Sequence, residues 1–211
     1  MKESKIKTRT YSSPRRTEAA DETRARVLAN AKRLFARRGI DAVTIAEIAA
    51  RSGVAGSTVY AVFKSKEGIL RALMEQSLFG GRYQSTQQIL AGISDPVEMI
   101  GLTAHVARAI YESESGDLGL LRSVSGFSPA LRKIEQEFEQ TRYRMQEERL
   151  RRLFAARRAR TSINFEEARR IMWMYTSREV YRMLVTEGGW TPDRYQEWLS
   201  QTLVAALVED G

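Results

Sequence analysis

Cysteine is absent from the 211 residues. That excludes disulfides, thiolate metal sites and a cysteine nucleophile, and it suits a reducing compartment, so a cytoplasmic location is expected. A single histidine, His105, has no cysteine and no second histidine to join it, so neither a metal site nor a cofactor is expected. No apolar run reaches the ~20 residues that a membrane-crossing helix needs. The basic N-terminus has no apolar core behind it, as a secretory signal would. No G-x-S-x-G, no glycine-rich phosphate loop and no carboxylate pair with a plausible cleft is present, which argues against an enzyme. Prolines number four, and three follow cap-type residues: Asp95-Pro96, Ser128-Pro129 and Thr191-Pro192. Such proline suits the first position of a helix. Strand alternation and repeats of 20–50 residues are both missing. An all-α chain of about nine helices is expected.

What is present is positive charge, unevenly spread. Residues 1–71 hold 16 Lys/Arg against 7 Asp/Glu, whereas residues 72–211 hold 18 against 19. The whole excess of +8 therefore sits in the first third. A polyanion partner follows, because Lys/Arg contacts to phosphate release counterions. A membrane surface satisfies charge alone, but its sign would be a basic amphipathic helix. Residues 1–17 carry Lys2, Lys5, Lys7, Arg9, Arg15 and Arg16 against Glu3 and read as a disordered basic arm, either a solvated tail or an added phosphate contact.

The basic third also holds the most specific local pattern. A first helix over 19–38 has Val27, Leu28, Ala31, Leu34 and Phe35 at helical spacing and ends at Gly39. Thr44 with Glu47 three residues on is a capping box, and Ser52-Gly53 stops the helix so started. A second short helix over about 56–62 follows. Two short helices joined by a tight glycine-containing turn form a helix-turn-helix, whose second helix enters the DNA major groove; packed helices of an ordinary bundle are the alternative.

The pattern Ala31…Leu34-Phe35-Ala36…Gly39, then Ala42-Val43-Thr44-Ile45…Ile48-Ala49…Gly53-Val54, then Thr58-Val59-Tyr60…Phe63-Lys64-Ser65-Lys66-Glu67…Leu70 resembles the DNA-binding domain of TetR-type transcriptional regulators. The resemblance covers about a quarter of the chain, from Thr23 to Met74. It implies a DNA-binding domain over 18–66 and a larger helical ligand-binding and dimerisation domain over 67–211. It further implies that Thr44, Ser57, Thr58, Tyr60, Lys64 and Lys66 face double-stranded operator DNA. Of these, Tyr60 and Lys66 match common backbone contacts. Val54, Val59 and Phe63 match core positions. The chain departs from the family at Ala55-Gly56-Ser57 and Ala61-Val62, which leaves few long polar side chains for bases and shifts readout toward backbone groups and DNA shape.

Beyond that domain, helices are expected over 65–89, 96–113, 118–125, 129–158, 164–187 and 192–208, with a bend at Gly80-Gly81. The run from Arg149 through Arg151, Arg152, Arg157 and Arg158 to Arg160 reads as a solvated basic end. Ile171 to Tyr175 is apolar around the whole circumference, so a partner subunit or a cavity must cover its extra face. TetR-type proteins dimerise through their last two helices, which here offers Val180, Leu184, Trp198, Leu199, Leu203 and Leu207 to a homodimer. A ligand pocket is assigned to Tyr111, Phe127, Trp173, Met174 and Tyr175, with His105 and Arg122 as polar partners. Such a lining favours a hydrophobic or amphipathic effector. The expected function is a ligand-responsive DNA-binding regulator, a repressor released by that effector. An activator and a non-specific nucleic-acid binder are the alternatives.

Overall fold

The structure, a computed structural model, describes residues 14–114, 119, 122, 126 and 128–209. Helix α1 (Pro14–Arg38) starts five residues ahead of Ala19, because proline pre-sets the helical φ at its first turn. Its stripe from Val27 to Phe35 is buried as expected. Helix α2 (Ile45–Ser52) begins with the complete capping box: Glu47 N–H donates to Thr44 Oγ1 at 3.2 Å, and Thr44 N–H donates to Glu47 Oε2 at 2.9 Å. Gly53, with φ 62°, closes it in the left-handed conformation.

Helix α3 (Gly56–Phe63) and α4 (Lys66–Leu78) meet at a very tight turn. Lys64 takes φ 66° and ψ −37°, and Ser65 N–H donates to Phe63 O at 2.8 Å. This is a γ-turn through a left-handed lysine, a conformation that costs about 1–2 kcal/mol. Two features hold it. Ser65 Oγ caps α4 by accepting from Gly68 N–H at 3.1 Å. Gly68 also lets α4 approach closely, since a Cβ there would lie 1.9 Å from the Phe63 carbonyl oxygen.

The helix expected over 65–89 breaks at Phe79-Gly80 into α4 and α5 (Gly81–Ala91). Helix α6 (Pro96–Glu114) is the central rod and packs on α4, α5 and the last helix, α11 (Pro192–Leu207). The helix expected over 129–158 is interrupted at Gln146, giving α7 (Pro129–Met145) and α8 (Glu147–Ala155). That expected over 164–187 is interrupted at Thr176-Ser177. Thr176 Oγ1 donates to Met172 O at 2.7 Å, and Ser177 Oγ caps a new start. Local side-chain bonds of this kind compete with the helical ladder. The result is α9 (Phe165–Tyr175), α10 (Arg178–Tyr181) and a π-helical segment (Arg182–Glu187). Of the helix expected over 118–125 only residues 119 and 122 are described, both helical, and Phe127 lies outside the described residues. Among the described residues the structure is all-α, with one isolated bridge, Ala159 to Val208, tying the loop after α8 to the end of α11.

The solvated basic end needs one correction. Arg151 and Arg152 are exposed and pair with Glu147 and Glu148 one helical turn back. Arg149 is instead buried, on the face of α8 that packs toward α6.

Two outcomes follow. Gly68→Ala should lower unfolding stability by about 1–3 kcal/mol in urea titration, since backbone rather than a movable side chain blocks the new methyl. Arg38 Nη1 at 2.7 Å and the Thr44 capping bonds pull the Glu47 carboxyl from 4.5 down to about 2. A depressed carboxyl contributes stability above its unfolded value and loses it as pH falls toward the folded one. The gap in melting temperature between the parent and Glu47→Gln should therefore be constant above about pH 5 and close between pH 4.5 and 2.

Candidate nucleic-acid interface and interior cavity

Helix α3 is anchored by two side chains and presents the rest. Val59 and Phe63 are buried, while Tyr60 is 57% and Val62 41% exposed. Ser57, Ala61 and Lys64 are exposed and Thr58 is half-buried. The helix has no side-chain cap at Ala55, and a phosphate is favoured at such a helix N-terminus. A Cβ at Gly56 would meet nothing within 4 Å. The smallness of the helix start is thus not required by packing.

The flanking residues are partly engaged. Thr44 Oγ1 donates to Glu47 Oε2 at 3.0 Å while accepting from Glu47 N–H. Lys66 Nζ donates to Asp41 O at 3.3 Å, across the start of α2. Thr44, Ser57, Thr58, Tyr60, Lys64 and Lys66 therefore belong to one small unit, though Thr44 serves first as a cap. Arg24 of α1 stacks over the Phe63 ring at 5.0 Å.

The helical body encloses a cavity of about 50 Å³. Leu78 and Phe79 from α4, Tyr83 from α5, Val106 and Ile110 from α6 and Phe138 from α7 give its apolar walls. Its polar lining includes one helical stripe, Arg142, Gln146 and Arg149, spaced i, i+4, i+7, together with Thr103, Glu139, Thr176 and Arg178. Arg142 Nη1 donates to Trp173 O at 2.9 Å and Thr176 Oγ1 at 2.7 Å, and its Nη2 pairs with Glu139 at 2.6 Å. It thereby satisfies the last carbonyls of α9, where positive charge is favoured. Gln146 Nε2 donates to the same Thr176 hydroxyl at 2.7 Å, and Tyr111 Oη donates to Thr176 O at 2.8 Å. Thr176 is thus the joint of four helices. Arg149 has no such partner, and burial pushes its guanidinium below the usual arginine value.

Of the residues assigned to a pocket from sequence, Tyr111 lines this cavity. His105 packs between α6 and α11, where Gln196 Nε2 approaches its Nε2 at 3.1 Å. Burial, with Arg108 beside it, lowers the His105 pKa. Arg122 pairs with Glu135 at 2.6 Å. Trp173 lies under Arg142 and on a surface groove, Met174 is 50% exposed, and Tyr175 stacks edge-on with Trp198. Apolar character alone marked these residues, and it does not separate cavity from surface. The stripe at 142, 146 and 149 was missed because arginine spacing reads as a solvated face.

The assigned dimer face also divides. Leu199, Leu203 and Leu207 are fully buried in the chain's own core, because this side of α11 packs on α6. They cannot touch a partner. Val180, Leu184 and Trp198 are partly exposed, and Met174 and Met183 are each 50% exposed.

An exposed helix on a three-helix basic head, continuous with an all-helical body, defines a helix-turn-helix DNA-binding protein. Residues 27–73 match the family of bacterial regulatory proteins described as tetR family. It is 40% identical over 62 residues to the HTH-type transcriptional regulator TtgR of Pseudomonas putida. That match covers 29% of this chain and spans only 30% of the relative's length. NalD of Pseudomonas aeruginosa, described as the secondary repressor of the MexAB-OprM multidrug efflux pump, superposes with a TM-score of 0.70 at 21% identity, covering 91% of this chain and 100% of that one. SmeT of Stenotrophomonas maltophilia, in complex with triclosan, gives 0.66 at 20% identity, covering 90% and 93%. At these identities the two structures establish the shared fold. No described helix is long and apolar enough to cross a membrane.

Replacing Thr176 by valine keeps its shape but orphans Gln146 Nε2 and removes an acceptor from Arg142. Unfolding free energy should fall by about 1–3 kcal/mol in denaturant titration. A loss under about 0.5 kcal/mol would show that the hydroxyl is not the joint.

Proposed function

We propose that this protein is a homodimeric repressor that binds operator DNA through α3 and releases it when a small apolar or amphipathic effector enters the body. Residues 18–66 serve as the DNA-binding head and 67–211 as the effector and dimerisation body, with residues 1–17 as a basic arm; it acts in the cytoplasm. The observation that carries the reading is α3 itself: two buried anchors, an exposed Tyr60–Val62 face, and a charge excess confined to the same third of the chain. A head of this size needs a partner copy to read half-sites about 34 Å apart. The partly exposed Val180, Leu184 and Trp198, with Met174 and Met183, supply an apolar face for that copy.

The release mechanism rests on volume. A pocket for a drug-sized ligand holds about 300 Å³ or more, whereas this cavity holds about 50 Å³. Entry of an effector must enlarge it. Leu78 and Phe79, at the end of α4, form part of its wall, and α4 begins at Lys66 beside the reading helix. Two further links join head to body: Ser128 Oγ donates to Asp41 at 3.2 Å, and Arg71 pairs with Glu137. An effector that fits only the enlarged form draws the population away from the DNA-competent one. SmeT, which shares the fold, has been solved with triclosan bound, and this supports a small-molecule reading.

The test uses a duplex selected from a random library by the purified protein. Tyr60→Ala and Lys66→Ala should weaken anisotropy-measured binding while sedimentation still shows the dimer. Lys66→Ala should also reduce the slope of log K against log salt by about one. Unchanged affinity in both variants would overturn the assignment of α3.

A further inference from the structure

The cavity contains a charge that the protein itself leaves unanswered. Arg149 is 9% exposed and lines the cavity wall. Among the described residues it makes no ion pair and no side-chain hydrogen bond. Nearby carboxylates are already committed: Glu139 to Arg142, and Glu112 to Arg108 and Arg82. The titratable group facing Arg149 is Tyr83, whose own hydroxyl points at Met145 Sδ. Arginine does not shed its proton in proteins, and buried charges are otherwise paired. Gln146, one turn earlier on the same stripe and 5% exposed, likewise keeps a buried Oε1 with no donor. Arg149 and Gln146 thus keep polar atoms without partners at a cavity whose apolar walls are Leu78, Phe79, Val106, Ala107, Ile110 and Phe138, and whose other polar lining, Thr103, Glu139, Arg142, Thr176 and Arg178, is engaged within the protein.

A purely structural arginine would behave as its neighbour does. Arg142, on the same stripe, reaches a carboxylate, two backbone carbonyls and a hydroxyl. Arg149 reaches none of these, although it is at least as deeply placed. Its cost to the folded chain has no compensating contact in the protein.

We propose that Arg149 is the anchor for the anionic headgroup of an amphiphilic effector, whose apolar part lies among Phe79, Val106, Ile110 and Phe138. The inference rests on the effector reading above and narrows it from apolar or amphipathic molecules in general to carboxylate-type amphiphiles. A guanidinium binds a carboxylate through two parallel N–H···O bonds, and Gln146 Oε1 is placed to accept from a hydroxyl carried by the same molecule. In the water-poor cavity the pair is stronger than at the surface. Neutral and cationic amphiphiles of equal length lack the group that offsets the buried charge.

Calorimetric titration of the full-length protein with octanoate, 1-octanol and octyltrimethylammonium tests this. Octanoate should bind at least about tenfold more tightly than octanol, as expected for a charge-assisted hydrogen bond, and the cation weakest of all. Arg149→Gln should bring octanoate and octanol to equal affinity, and Arg149→Lys should keep a preference for octanoate. Without probe, Arg149→Met should melt no lower than the parent, which a residue needed for packing would not allow. Equal binding of octanol and octanoate by the parent, or no octanoate binding, would overturn the assignment of Arg149. The effector reading fails separately, when saturation with the bound probe leaves affinity for the selected duplex unchanged; that result leaves the headgroup assignment standing.

Discussion

Helix α4 is the constraint on which the rest depends, because its 13 residues belong to two packing arrangements at once. It packs on α1 and α3 of the head and on α6 and α7 of the body. Ile69, Leu70, Leu73, Met74 and Leu78 are all at most 5% exposed. At about 1.5 Å per residue the helix spans only about 20 Å, and close-packed interiors transmit displacement rather than absorb it. The γ-turn at Lys64 and the contact of Gly68 with the Phe63 carbonyl fix its start to the reading helix. Its other end is cavity wall. A change of volume in the body thus has a short, stiff route to the DNA-facing surface.

The body is built to keep the opposite wall fixed. Thr176 gathers Arg142, Gln146 and Tyr111 at the break between α9 and α10. These bonds favour one arrangement, although Gln146 Oε1 is left without a donor. Arg142 is satisfied and Arg149 is not, although they lie on one helical stripe. The first residue therefore belongs to the scaffold, and the second is held by no bond within it. The π-helical segment that follows α10 carries the half-exposed Met183, and Met174, just before the break, is half-exposed too.

Much of the head was legible in the sequence. The Thr44–Glu47 capping box, the Gly53 stop, the Val27-to-Phe35 stripe and the Val59 and Phe63 anchors all occupy their expected places. The body was legible as helices but not as surfaces. Proline starts at Pro96, Pro129 and Pro192 are correct to the residue, while three long helices are broken into shorter segments. Leu199, Leu203 and Leu207 face inward, not toward a partner. Four of the side chains assigned to the pocket, His105, Trp173, Met174 and Tyr175, lie elsewhere, and Arg122 is committed to Glu135.

The division has a physical reason. Caps, stops and proline starts are hydrogen bonds and dihedral preferences within three or four residues, so the sequence by itself determined them, and with them the helix-turn-helix. Which face of a helix is covered depends on residues far away in the chain. Position 149 shares a cavity with residues of α4 to α6, some 40 to 70 positions earlier, and nothing in an arginine-rich helix announces that one of its arginines points inward. Only the tertiary structure decided that Arg149 lies against the cavity, that α11 turns its leucines to α6, and that α4 is shared between head and body.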